Sequence, residues 1–261
     1  MIPRILHQTW KTRDNFPENF AQWSSSFALT NPELERKIYD DNDNREIVKA
    51  FAPALLGLYD EFPREIFRAD FVRPMYLFFQ GGLYADLDFQ CLQSLDPILK
   101  NPSLDLILGR MGTDINFIHS IPNAFMASSA NQAFWIGYLA AIEWAWNSKK
   151  NIKSIENQPE HVTGPAILRE LVSIYSRQPD QFKKMILIFI QKKKLKINPD
   201  QLKFSKLTLL PSHLLYLINW NDLLHKAFRI NTMKQQKIFS LAEARILFPT
   251  SLAVTYWAHS W

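Results

Sequence analysis

This sequence predicts an α/β sandwich, a mainly parallel central sheet flanked by helices. Two observations carry that expectation. From the first residues to about residue 109, short apolar segments alternate with helix-patterned ones in the order strand, helix, strand, helix, strand, as parallel strands joined by crossover helices do. Residues 104–109 form a continuous apolar run, which suits a strand covered on both faces. The core to support such a sheet is available: 47% of the 261 residues are hydrophobic and 13% aromatic. The chain reads as one domain, residues 1–261, with a Lys-rich insertion or lid subdomain at about 178–240.

The elements follow in order. Residues 2–10 alternate loosely around Pro3 and read as a first strand whose end presents His7, Gln8 and Trp10. Phe16, Phe20 and Trp23 recur at helical spacing, so residues 17–26 read as a helix, and Asn31-Pro32 as a turn. Residues 35–39 fit a second strand. The polar cluster from Asp40 to Asn44 suits the capping of a helix over 45–51. Pro63 fits the start of a helix over 63–79, with Pro74 bending or restarting it, and Gly81-Gly82 ends it. Strands are expected at 83–89, 104–109 and 124–128, and helices at 134–146 and 165–175.

In that third strand, Asp86 and Asp88 follow the glycine turn inside an apolar run. In an extended segment residues i and i+2 share a side, so two carboxylates would converge where desolvation and repulsion oppose them. A hard divalent cation, Mg²⁺ or Mn²⁺, relieves both and also takes phosphate oxygens. The expectation is a metal–diphosphate site. Ligands of open α/β sheets bind beyond the carboxyl ends of strands, where His7 to Trp10, Asp40 to Asp43 and Asp86 to Asp88 all fall. Asp70 and Arg73, three apart on the preceding helix, share a face, where Arg73 offsets diphosphate charge and Asp70 accepts from sugar hydroxyls, or the two form an ordinary ion pair. Trp10 reads either as core or as a stacking platform for a base. Thr163-Gly164-Pro165 reads as a helix opening, an N-cap followed by proline near the first turn, whose free N–H groups and small residues also allow close approach of a ligand. The closing run from Tyr256 to Trp261 is expected to fold back on the crevice, with His259 as a candidate third metal ligand.

Formal net charge is +5, and Lys183, Lys184, Lys192, Lys193, Lys194 and Lys196 concentrate the excess. That 183–196 block reads first as a solvated face, with peripheral membrane contact or an anionic substrate as the alternatives; no nucleic acid is expected. One cysteine, Cys91, allows no intramolecular disulfide, which fits a reducing compartment. No signal peptide or membrane span is read, so the expected location is cytoplasmic. Ser/His/Asp, phosphate-loop and dinucleotide patterns do not stand out.

The segments from Ile2 to Trp10, Arg68 to Arg73 and Gly81 to Asp88, with the terminal Ser260-Trp261, resemble the DXD-containing sugar transferases of glycosyltransferase family 32, which include yeast mannosyltransferases and, distantly, the clostridial glucosylating toxins. The resemblance implies a GT-A nucleotide-diphospho-sugar transferase fold and retaining transfer of a hexose or N-acetylhexosamine from a UDP- or GDP-sugar to a glycan, lipid or protein hydroxyl, usually with Mn²⁺. It implies that Asp88 binds the metal and that Asp86 binds ribose or sugar and assists the metal, both being catalytic. Asp70 and Arg73 would hold the donor sugar, Trp10 would stack on the base, and Ser260 and Trp261 would close over the diphosphate. His7, Gln8 and Tyr84, within the matched segments, count with the donor-binding residues. This chain has Thr255 where many members carry a histidine, leaving His259 or water as third ligand. The rival expectations are a nucleotide-sugar or carbohydrate-binding protein with a decayed site, and a metal-dependent phosphoesterase.

Overall fold

The computed structural model describes residues 1–13, 15–219, 221–234 and 237–258. It opens on β1 (Ile5–Thr9), passes through α1 (Glu18–Thr30), and returns to β2 (Glu35–Tyr39), parallel to β1 from Ile5↔Glu35 to Thr9↔Tyr39. The polar cluster then caps α2 (Asp41–Phe51): the Asp40 carboxylate accepts from the Asp43 N–H, and Asp43 accepts from the Asp40 N–H. After α3 (Leu56–Glu61) comes α4 (Glu65–Phe79), which runs through Pro74 without restarting. Pro63 is not its first residue, because Arg64 is extended (φ −138°, ψ 154°) and serves as N-cap. Gly81 and Gly82 both have positive φ, 66° and 96°. A Cβ on Gly82 would sit 2.4 Å from the Ile5 carbonyl oxygen, so only glycine allows β3 (Gly82–Ala85) to lie against β1 here.

The acidic strand is shorter than the sequence suggests. β3 stops at Ala85, its last partner in the ladder being Phe125, and Asp86-Leu87-Asp88 form a turn closed by the Phe89 N–H on the Asp86 carbonyl (3.1 Å). The chain then changes partner: β4 (Phe89–Cys91) leaves the main sheet and pairs with β8 (Ala253–Thr255). The intervening chain supplies α5 (Asp96–Leu99), β5 (Leu106–Gly109), β6 (Phe125–Ser128), α6 (Ala133–Lys149), α7 (Pro165–Arg177), α8 (Pro179–Lys193), β7 (Leu207–Leu210), α9 (Ser212–Leu215), α10 (Leu223–Lys234) and α11 (Leu241–Leu247).

The main sheet has the order β2-β1-β3-β6-β5-β7, with β6 antiparallel to its neighbours and the other pairings parallel. Strand periodicity divides the core. Tyr84, Leu106, Leu108 and Met126 face the layer formed by α2, α4, α6, α7 and α8, while Leu83, Ala85, Ile107, Phe125 and Ala127 face the layer of α1 and the C-terminal elements. This double coverage explains the unbroken apolar run of β5. Two elements of the stretch 178–240 belong to the main body: β7 extends the sheet beside β5, and α8 buries Phe182, Ile186, Phe189 and Ile190 in the core. Phe182 lies over Gly137 of α6, where a Cβ would meet its ring at 2.5 Å.

Candidate active site

Helix α4 and the end of β3 place an arginine between aspartates. Arg73 Nη1 lies 3.1 Å from Asp70 Oδ1, and Arg73 Nη2 lies 3.1 Å from Asp86 Oδ1. The i, i+3 spacing brings the first pair together. The second follows from the short Gly81-Gly82 return, which lays β3 alongside α4. Tyr84 donates its hydroxyl to Asp86 Oδ1 (2.6 Å), and its ring lies under the Arg73 guanidinium, 4.7 Å from the centroid. Asp70 is buried, with both oxygens engaged: Asn123 Nδ2 donates to Oδ1 at 2.9 Å and Thr163 Oγ1 to Oδ2 at 3.0 Å. Arg73 Nη1 also donates to the Asn123 carbonyl at 3.1 Å. An isolated buried charge would be strongly disfavoured, and this network is what lets the charges stay.

Burial raises the Asp70 pKa, and the Arg73 charge opposes that. For Arg73 burial acts downward, but Asp86, then Tyr84 and Asp70, more than reverse it, and its pKa is raised. Asp88 is the group under most tension. Burial and then the Asp86 charge push its pKa up to about 7, against the Ala258 N–H and the Thr255 hydroxyl. Ala258 N–H donates to Asp88 Oδ2 at 2.9 Å. Asp88 Oδ1 and Arg73 Nε are both buried without a hydrogen-bond partner. An orphaned acceptor and an orphaned donor at one cleft are what a bound ligand relieves.

That cleft encloses about 340 Å³ and is lined by Trp10, Asp70, Arg73, Asp86, Asp88 and Trp257, among others. The strand-end residue Trp10 thus meets both aspartates there. Its ring packs on Phe20 (5.0 Å between centroids), and its Nε1 donates to the Asn15 carbonyl at 3.2 Å. The structure does not bring His7 and Gln8 to the cleft. His7 is fully buried, Nε2–H donating to the Gly81 carbonyl (2.8 Å) and Nδ1 accepting from the Tyr39 hydroxyl (3.1 Å). Gln8 accepts from Ser24 Oγ at 2.6 Å. Tyr84 stands behind Arg73 and Asp86. Asp40 and Asp43 are spent on the α2 cap and on Arg13. Gly164 holds the α7 cap position, with Pro165 following it as expected, which leaves the Thr163 hydroxyl for Asp70. His259, Ser260 and Trp261 lie outside the described residues.

The hard donor set of Asp86 and Asp88, with one carboxylate oxygen orphaned, fits a divalent cation of the Mg²⁺ or Mn²⁺ kind. Among the described residues no group of three or more His, Cys, Asp or Glu side chains stands ready for a metal, so further ligands would be oxygens of substrate, water or the closing segment. Sequence reasoning missed Asn123. It precedes β6, and because β6 is antiparallel, its beginning lies at the same edge as the carboxyl ends of the other strands. A reading confined to strand ends passes over it.

An α/β fold with a DXD turn in its cleft is an arrangement this chain shares with known sugar transferases. Residues 8–105 match the family described as "glycosyltransferase sugar-binding region containing DXD motif". It is 40% identical over 102 residues to inositol phosphoceramide mannosyltransferase 3 of Schizosaccharomyces pombe, covering 39% of this chain and 28% of that one. It is 31% identical over 190 residues to the initiation-specific alpha-1,6-mannosyltransferase of Saccharomyces cerevisiae, covering 66% of this chain and 38% of that one. The chain therefore spans well under half the length of these two relatives. Among solved structures, the PaToxG glycosyltransferase shares the fold, with a TM-score of 0.50 at 16% identity over 79% of this chain and 80% of that one.

Proposed function

We propose that the chain is a metal-dependent, retaining glycosyltransferase that moves a hexose, or an N-acetylhexosamine, from a UDP- or GDP-sugar to a hydroxyl of a glycan, lipid or protein. The observation that carries the proposal is the meeting of Trp10, Asp70, Arg73, Asp86 and Asp88 in one cleft, with Asp88 Oδ1 buried and unpartnered. Asp86 and Asp88 would hold Mn²⁺ or Mg²⁺, which when bound supplies positive charge for the departing nucleotide diphosphate. Arg73 faces the same charge. It is kept cationic and fixed in direction by Asp70 and Asp86, so it needs no reorganisation as charge develops. Asp70, with both oxygens already accepting, is built to hold and orient rather than to attack, in keeping with the retaining transfer implied by the resemblance. Trp10 offers a ring edge to the base. The mannosyltransferase relatives make GDP-mannose the first donor to test.

A location on the cytoplasmic side, with peripheral membrane contact, belongs to the same proposal. Among the described residues no helix is long and apolar enough to cross a membrane. On α8, Leu187 and Ile188 are exposed beside Lys183, Lys184 and Lys192, the mixture an anionic bilayer surface takes up.

The test is consumption of GDP-mannose and UDP-sugars with and without Mn²⁺, with hydrolysis and transfer products separated. Metal-dependent release of the nucleoside diphosphate with a transferred sugar is expected. Cleavage to the nucleoside monophosphate and sugar 1-phosphate would favour a phosphoesterase, and binding without turnover a decayed site.

A further inference from the structure

Buried tyrosines elsewhere in the chain donate their hydroxyls: Tyr76 to Asn44, Tyr84 to Asp86, Tyr138 to the Thr163 carbonyl at 2.6 Å and Tyr256 to Gln90 at 2.7 Å. Tyr216, fully buried at the end of α9, does not; its hydroxyl has no hydrogen-bond partner. A phenol taken out of water without a partner costs free energy that a phenylalanine in its place would not. Among the described residues four side chains bury a polar atom in this way: Trp23, Arg73, Asp88 and Tyr216. The charges of Arg73 and Asp88 both reach Tyr216, so three of these four share one neighbourhood.

The contacts of the Tyr216 ring bracket the Asp86–Asp88 turn. It meets Phe89, the residue after Asp88, edge to face at 5.7 Å between centroids, and stacks on Trp257 at 5.6 Å. Trp257 lines the cleft and precedes Ala258, whose N–H holds Asp88 Oδ2. The backbone of Phe125 approaches the hydroxyl without forming a hydrogen bond, and Phe125 is the ladder partner of Ala85, next to Asp86. The seat is a fixed one. Trp257 Nε1 donates to the Ile218 carbonyl at 2.7 Å, and a Cβ on Gly109 would fall 2.3 Å from the edge of the Tyr216 ring. Burial, and then the Asp86 charge, raises the Tyr216 pKa well above its usual value, so the hydroxyl stays a neutral donor. A donor without an acceptor thus stands beside the turn where Asp88 Oδ1 is an acceptor without a donor. One water between them satisfies both.

We propose that Tyr216 is a positioning residue of the cation site, its hydroxyl orienting the Asp88 carboxylate through a bridging water. The assignment rests on the cation reading above. It is tested by isothermal titration of Mn²⁺ into the full chain with GDP, and then with UDP, for the wild type, Tyr216→Phe and Asp88→Asn. Tyr216→Phe keeps the ring and its packing and removes the hydroxyl alone. Mn²⁺ should bind this variant about fivefold or more weakly than the wild type, as loss of one hydrogen bond implies. Its urea midpoint should equal or exceed that of the wild type, because the deleted group has no partner in the metal-free chain. Unchanged Mn²⁺ affinity overturns the proposal and leaves the cation reading standing. So does a weaker affinity accompanied by a lower urea midpoint, since the hydroxyl would then support the fold rather than the site. Absence of Mn²⁺ binding to the wild type, or binding that Asp88→Asn leaves unaltered, removes the cation reading and the role of Tyr216 with it.

Discussion

Arg73 is buried to 2% exposure and serves Asp70, Asp86 and the Asn123 carbonyl at once. Replacing it with Met leaves Asp70 buried with its charge unopposed. We expect a loss of about 3–5 kcal/mol, the range for breaking a buried pair from one side, measured by urea unfolding. Retention of wild-type stability would show that Asp70 is neutral in the native chain. Asp88→Asn acts differently. It removes a charge whose native environment already disfavours ionisation, so stability should hold or rise slightly while turnover falls on the order of a hundred- to a thousandfold. Turnover near the wild-type level in the purified variant would contradict the role given to Asp88. Thr163→Val tests the support of Asp70: it deletes the 3.0 Å hydrogen bond to Oδ2, and about 1 kcal/mol of donor binding or stability should go with it in a double-mutant cycle with Asp70→Asn.

At the scale of elements, the junction of α4 with β3 and β1 carries the site. Gly82→Ala forces a Cβ within 2.4 Å of the Ile5 carbonyl at φ 96°, and a loss of roughly 2 kcal/mol or more is expected by thermal or urea unfolding. An unchanged midpoint would mean that β3 shifts freely, against the account of how Asp86 is placed. His7, in the strand beside it, sets a pH dependence. Burial lowers its pKa from 6.5 to about 4, with the Gly81 carbonyl opposing and Lys37 assisting. Between pH 6.5 and 4 the unfolded chain therefore binds the extra proton, and acidification favours unfolding. The contribution is complete above about pH 6.5, falls as pH drops to about 4, and totals roughly 3 kcal/mol. His7→Gln should flatten that part of the stability–pH curve; an unaltered slope would contradict the buried neutral imidazole.

The same junction shows what the sequence makes legible. Strands β1, β2, β5 and β6 and helices α1, α2 and α4 follow from periodicity, and β2 has the bounds its pattern predicts, whereas the short α3 and α5 carry no such signal. The end of β3 does not, because strand length there is decided by where β6 stops pairing, a tertiary fact. The aspartates, Arg73 and Trp10 are visible as a pattern of residue types at helix and strand ends. Asn123 and Thr163 are not, since their partner Asp70 lies 53 and 93 residues away in sequence. His7 misleads because a polar residue at the end of a buried strand has the same sequence context whether it faces a ligand or a carbonyl.

Over the whole molecule, the sheet separates two apolar layers and gathers its polar chemistry at one edge, where β1 and β3 end and β6 begins. The lysine-rich α8 belongs to the helical layer, with Lys193 paired to Glu143 on α6. Membrane contact through α8 predicts binding to vesicles rich in phosphatidylserine that weakens with salt and is unaffected by Asp88→Asn. Equal binding to neutral vesicles would contradict it. The central claim, that Asp86 and Asp88 hold a divalent cation against a nucleoside diphosphate, is met most directly by electron paramagnetic resonance of Mn²⁺ titrated with the protein and GDP or UDP. The free-Mn²⁺ signal should fall with wild type in the presence of nucleotide and persist with Asp88→Asn. Equal loss of signal with both proteins, or no loss with either, would contradict it.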